Sequence, residues 1–251
     1  MSIVQAPTKH WKLKNNLLDS APSPVSLTMI GSLSWTRGPF GYANTALTGF
    51  EDDSSGFAGT TYLYSEMYGV DWNSTKAIWV NTACTAYYQP LVSFSWGNGY
   101  WPEIATSMFF IGSTTSEPSN TQKCLRFQIT YISSFESIYL SDDIISDLAY
   151  PDDGLWHLCG MSIDGDGNIK FFIDHSVSST YTLSAGYPQL SGNAAAIGAD
   201  QTGQTDSYFS GSMGAIRDFA GDASMVLSQT NFSHLYDYDK NNHGLYHGSN
   251  F

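Results

Sequence analysis

Two short stretches of this chain bring together side chains suited to recognition chemistry. The first is Trp96-Gly97-Asn98-Gly99-Tyr100-Trp101. Aromatic faces stack on a sugar ring and an amide adds a directional hydrogen bond, so Trp96, Asn98, Tyr100 and Trp101 form a candidate ligand-binding set. The same tryptophans would equally serve to close one end of a folded domain. The second stretch is Asp164-Gly165-Asp166-Gly167-Asn168. Asp164, Asp166 and Asn168 alternate oxygen ligands as the start of a calcium loop does. An EF-hand needs Gly at the sixth place and Glu at the twelfth, and here Ile169 and His175 stand there. A tight turn is the stronger reading of these residues. Calcium is the one metal the spacing would suit, and no other cofactor is expected.

The remaining polar clusters carry weaker signals. Glu51-Asp52-Asp53 and Asp142-Asp143 read as solvated loop residues before carboxylate ligands. His243 and His247 stand four apart with His234 upstream, but Gly244 between them argues against the helical presentation zinc would need. His157, beside Trp156, reads as a hydrogen-bonded structural histidine. Glu66, Glu103, Glu117 and Glu136 are isolated, and the chain contains no E-x-D-x-x-E strand, G-x-S-x-G elbow or H-E-x-x-H helix. A glycan hydrolase or lyase is therefore the minor reading, and the expectation is that the chain is not an enzyme. Cys84, Cys124 and Cys159 are widely spaced and form no C-x-x-C pair. Their spacing leaves a disulfide between any two open.

Bulk properties narrow the partners. The chain has 251 residues and a net charge of −13, with only 10 Lys plus Arg. Such a field repels phosphate backbones, so no nucleic-acid partner is expected. No apolar run reaches the length of a membrane helix, so no membrane insertion is expected either. Charged residues make up 13% of the chain, about half the usual share. Polar surface must then come from Ser, Thr, Asn, Gly and the 16 Tyr, the composition of adaptable binding surfaces. The start, Met1-Ser2-Ile3-Val4-Gln5-Ala6-Pro7, lacks the pattern of a secretion signal. For that reason the sequons at Asn73 and Asn231 read as coincidental.

The elements that must position these residues are strands. Val25–Met29 and Leu125–Ile132 alternate apolar and polar residues, the period of a half-buried strand. Lys76–Cys84, Leu91–Trp96, Ser107–Gly112, Leu155–Ile163, Ile169–Asp174, Ala194–Gly198 and Met213–Phe219 are richer in branched and aromatic residues and read as core strands. Trp35–Tyr42 reads as loop. Asp142–Ala149 reads as a short helix or turn, capped by Ser141 or Asp142 and ended by Pro151. Ser228–Tyr236 reads as one short C-terminal helix. About ten short strands separated by Gly, Pro, Asn and Ser predict an all-β protein, an antiparallel β-sandwich of jelly-roll type. We expect a flexible arm over residues 1–7, the sandwich over 8–238 and a tail over 239–251.

The order of motifs in the second half resembles a known family. Asp153-Gly154-Leu155-Trp156-His157 leads into a strand, the Asp164–Asn168 turn follows, and Phe171-Phe172-Ile173-Asp174 returns from it. Ala196-Ile197-Gly198, Phe209-Ser210-Gly211-Ser212-Met213 and a closing Leu227-Ser228 with Leu235-Tyr236 complete the series. This resembles the laminin-G/pentraxin form of the concanavalin A-like lectin/glucanase superfamily, as found in phage and virus structural proteins. The likeness covers residues 153–238 well, and residues 8–150 only by strand number. Its motifs are structural, so they speak to fold more than to function. The resemblance implies a lectin-like, non-enzymatic structural or adhesion protein on a virion, a capsid decoration, fibre or tail component. Its partners would be virion proteins or copies of itself, and cell-surface glycan. A free carbohydrate-binding lectin is the alternative.

Overall fold

Alternation along the chain is one key to the architecture, because strands covered on one face and strands covered on both leave different patterns in the sequence. The computed structural model describes residues 6–21, 24–50, 62–65, 72–82, 88–96, 104–114, 122–133, 138–184, 194–199 and 209–241. The first half supplies β1 (Lys9–Trp11), β2 (Thr28–Ile30), β3 (Ser34–Thr36), β4 (Ala46–Thr48), β5 (Tyr62–Ser65), β6 (Ser74–Asn81), β7 (Tyr88–Trp96) and β8 (Ile104–Ser113). Then come β9 (Lys123–Ser133), β10 (Ile138–Ala149), β11 (Trp156–Ile163), β12 (Asn168–Ile173), β13 (Ser176–Val177) and β14 (Tyr181–Thr182). β15 (Ala194–Ile197), β16 (Ser212–Ala220), a 3₁₀ turn at Ala223–Met225 and helix α1 (Gln229–Asn241) complete the order.

Two antiparallel sheets result. The nine-stranded sheet runs β13-β12-β11-β6-β16-β4-β3, with β1 added on β16 and β14 on β12. The seven-stranded sheet runs β10-β9-β8-β7-β15-β5-β2. The all-β sandwich with one C-terminal helix expected from the sequence is what forms. One core lies between the sheets, built by Ile78 and Val80 of β6, Phe109 and Ile111 of β8, Leu125 and Phe127 of β9, and Phe171 of β12. A second core lies on the other face of the nine-stranded sheet, where Ala77, Trp79, Leu158, Phe172 and Phe219 meet Phe232 and Leu235 of α1. Strands β6, β11, β12 and β16 are thus covered on both faces. That is why they read as continuous apolar runs, in contrast to β9.

Register in β16 slips between Met213 and Ile216. Both residues therefore reach the inter-sheet core although they are three apart, while Ala215 points to the helix side. Gly214 sits in this bulge, where a Cβ would lie 3.1 Å from the Trp79 Cβ and 3.2 Å from Pro39. Helix α1 is fastened by charge as well as by packing. Arg217 donates from both terminal nitrogens to Asp239, at 2.7 and 2.6 Å, and the Trp79 indole N–H donates to the same carboxylate at 2.7 Å. A guanidinium and a carboxylate matched in this bidentate way neutralise each other's charge out of water, while the buried Arg217 Nε–H has no partner among the described residues.

Three expectations need correction. Residues 142–149 are neither helix nor turn but the end of β10, paired with β9 from Ile138↔Ser133 to Ala149↔Cys124 with one irregularity after Ile145. Their acidic residues mislead because they serve an edge strand. Asp142 accepts hydrogen bonds from Ser184, and Asp147 from Ser179, sewing the open side of the sandwich. Trp35 lies in strand β3 rather than loop, paired with Leu47. The C-terminal helix, expected over Ser228–Tyr236, spans Gln229–Asn241, because Asp239 is buried against Arg217.

Candidate functional site

The register places several chemistry-bearing residues at one end of the sandwich. β6 begins and β11 ends there, as Ser74 pairs with Ile163. β7 ends there too, for the Lys76 ammonium lies 5.9 Å from the centroid of the Phe94 ring. Trp96, the last residue of β7, is paired by its backbone with Ala105 of β8. The Trp96 strand end and the Asp164 hairpin, read separately in the sequence, therefore share this end. Asn98, Tyr100 and Trp101 lie outside the described residues.

The hairpin is built by its own first residue. Oδ1 of Asp164 accepts the backbone N–H of Asp166 and of Asn168, both at 2.9 Å, and Oδ2 accepts the Asn168 side-chain N–H at 2.9 Å. Gly167 takes φ +78°, where a side chain is disfavoured. Burial pushes the pKa of the Asp164 carboxyl up, but the Asn168 side chain and the two backbone donors outweigh it and hold the pKa below its ordinary value. The side-chain amide oxygen of Asn168 is itself engaged, accepting from the Thr182 hydroxyl at 2.7 Å. Asp164 thus spends its oxygens on the turn, as the hairpin reading predicts. Asp166 contributes only backbone to this arrangement.

At the opposite end, where β11 begins, His157 lies between two carboxylates. Its Nδ1 is 2.7 Å from Asp174 and its Nε2 is 3.0 Å from Asp153. Carboxylates only accept, so both ring nitrogens must donate, which requires the imidazolium. Burial opposes the charge, yet Asp174 and then Asp153 outweigh it, and the His157 pKa rises above its ordinary value. Asp174 also accepts from the Leu158 N–H at 2.9 Å, while holding a left-handed φ of +54°. With both nitrogens committed, this histidine positions backbone and cannot act as a base. The Tyr150 ring packs edge-on against it, and burial raises the pKa of that phenol.

A third cluster, which the sequence does not announce, lies on the outer face of the seven-stranded sheet. Arg126 of β9 donates to Asp143 of β10 and, at 3.0 Å, to the Ser113 carbonyl. Its guanidinium lies 5.6 Å from the Tyr88 ring and 5.2 Å from the Phe110 ring. The alternation of β9, with Leu125 and Phe127 facing the core, was the available signal that Arg126 faces outward.

The other candidates divide plainly. Glu51, Asp52, Asp53, Glu66, Glu103, Glu117, Glu136, His243, His247 and Cys84 lie outside the described residues. His234 is exposed on α1. Among the described residues no group of three His, Cys, Asp or Glu side chains is placed to hold a metal. Cys124 and Cys159 are free and buried, and burial pushes the Cys124 thiol up to about 11. No helix among the described residues is long and apolar enough to cross a membrane.

Comparison with known proteins agrees with this architecture. Domain 4 of AbnA, an extracellular GH43 arabinanase from Geobacillus stearothermophilus solved with arabinotriose, aligns with a TM-score of 0.56 at 16% identity. The alignment covers 92% of this chain and 98% of that domain. The chain shares their fold. The botulinum neurotoxin serotype G binding domain aligns with a TM-score of 0.56 at 11% identity, over 93% of this chain and 51% of its own length. The binding domain of botulinum neurotoxin DC, solved in complex with SialylT, gives 0.56 and 11%, over 92% and 50%. The chain thus spans about half the length of the toxin domains and nearly all of the arabinanase domain. No family model matches the chain, and no curated protein matches it in sequence.

Proposed function

We propose that this chain is a non-catalytic, lectin-like module that binds glycan through the loops at the Trp96 end of the sandwich. One observation carries the reading: the alignment spans 98% of an arabinanase domain solved with arabinotriose. A toxin binding domain solved with SialylT supports it over a comparable share of this chain. The contact set is Trp96, Asn98, Tyr100 and Trp101, aromatic faces with an amide between them, as sugar stacking requires. Asp164, Asp166 and Asn168 border that end as the hairpin, and the module works without calcium. The affiliation we assign is the laminin-G/pentraxin form of the concanavalin A-like superfamily.

The binding is measured on a glycan array and by calorimetry with arabino- and sialyl-oligosaccharides, with and without calcium. The expected result is calcium-independent binding that falls at least tenfold in Trp101→Ala and in Tyr100→Ala, with unchanged unfolding midpoints. An array without a single hit overturns the reading.

We further place this binding in adhesion on a virus particle, with virion proteins or copies of the chain as partners. Proteomics of purified particles tests that placement. Absence from every particle removes it and leaves the glycan reading standing.

A further inference from the structure

Among the described residues, two fully buried ion pairs differ in chemistry. On the helix side, Arg217 meets Asp239 with both carboxylate oxygens matched. Between the sheets, the ammonium of Lys76 touches the carboxylate of Asp218. Lys76 lies two residues from Ile78, and Asp218 two from Ile216, so both share the inner face with those core residues. The Lys76 side chain has 0% of its surface exposed and that of Asp218 has 6%. β6 and β16 set the two residues directly opposite each other in register. The Phe94 ring closes over the ammonium, 5.9 Å from its centroid.

An ammonium and a carboxylate excluded from water carry a large desolvation penalty. A guanidinium stays charged and disperses that penalty over five donors. A primary amine has another way to remove it. Passing the ammonium proton to the carboxylate would leave a neutral amine against a neutral acid. Those are the partners of an amide condensation, already in contact and held in one orientation by two paired strands.

We propose that Lys76 and Asp218 are joined by an intramolecular amide bond formed within the folded sandwich. The lone pair of Lys76 Nζ attacks Cγ of Asp218 and the Nζ–Cγ bond forms. The Cγ–OH bond then breaks, and the hydroxyl leaves as water with a proton from the nitrogen. Two opposite charges become one neutral amide and one water molecule is released. No oxidant, reductant or second substrate is needed. Exclusion of solvent favours the loss of water and protects the amide from hydrolysis. Ser74, one pleat from Lys76 on the same strand, keeps a buried hydroxyl with no hydrogen-bond partner among the described residues. It offers the departing water a polar neighbour. The bond would tie together strands whose linked residues stand 142 apart in the sequence.

Mass spectrometry of the full-length protein decides it without any variant. Denatured wild-type protein should weigh one water molecule less than its sequence. Tryptic mapping should give one branched peptide joining the segments around Lys76 and Asp218, with no cleavage after Lys76. Asp218→Ala and Lys76→Arg should each restore the full sequence mass, whether or not the variant folds. A wild-type mass equal to the sequence, or a loss of water mapped to any other position, overturns the proposal.

Discussion

At the scale of single residues, the clearest consequence concerns His157. Its pKa in the folded protein lies above its ordinary value because Asp174 and Asp153 hold both ring nitrogens against the opposing effect of burial. The folded state then binds the proton more tightly than the unfolded chain. The stability this contributes is fully present below the unfolded pKa of about 6.5. It is lost as pH rises through the folded value. His157→Gln should cost about 2 kcal/mol at pH 6, two charge-assisted hydrogen bonds being lost. Urea midpoints measured from pH 6 to 9 should converge for wild type and variant toward the alkaline end. A difference independent of pH would show that the ring stays neutral. Residues of this kind also divide what sequence can disclose. The Asp164 turn was legible because its donors lie within four residues of it. The His157 clasp was half hidden: Asp153 is local, but Asp174 stands 17 residues away and arrives only when β12 returns. The Trp79–Arg217–Asp239 cluster was invisible, since its members are 160 and 22 residues apart.

At the scale of elements, helix α1 behaves as a third layer. Phe232 stacks on Phe172 of β12 with ring centroids 4.7 Å apart, and Gly160 of β11 leaves the space its ring enters. A Cβ on Gly160 would also lie 2.9 Å from the Lys76 carbonyl oxygen, so it has no easy retreat. Gly160→Ala should therefore cost about 1–3 kcal/mol, read by chemical denaturation. Phe232→Ala should cost about 3–5 kcal/mol. An unchanged midpoint for Gly160→Ala would mean that the helix does not seat on β11. The sequence disclosed the doubly buried strands β6, β11, β12 and β16 well, because burial on both faces leaves an unbroken apolar run. It misread β10. Three aspartates beside Ser141 and ahead of Pro151 resemble a capped helix, whereas they are edge-strand side chains bonded across to Ser179, Ser184 and Arg126. Cross-layer hydrogen bonds of that sort leave no period to read.

At the scale of the whole molecule, the charge of −13 sets the conditions for any binding. A field of this sign slows and weakens the approach of anionic ligands, and salt screens it over about 10 Å at 0.1 M. If glycan is the ligand, affinity for a sialylated oligosaccharide should rise several-fold between 10 and 150 mM salt, roughly as screening sets in. Affinity for a neutral arabino-oligosaccharide should stay flat over the same range. Calorimetry in the two buffers checks this, and parallel salt responses would place the binding site outside the protein's net field.

The pairing of β1 with β16 reaches beyond equilibrium properties. Lys9 opposes Asp218, and the Thr8 hydroxyl donates to the Asp218 carbonyl across 210 positions of sequence. An early-made strand must therefore wait for one of the last before it finds its place. Contacts so distant along the chain make for slow folding. While a ribosome is still building β16, β6 lacks one of its two strand neighbours and the outer face of its sheet lacks α1. In the cell, this sandwich should close only after translation has passed β16, and until then its nascent form is a natural client for chaperones.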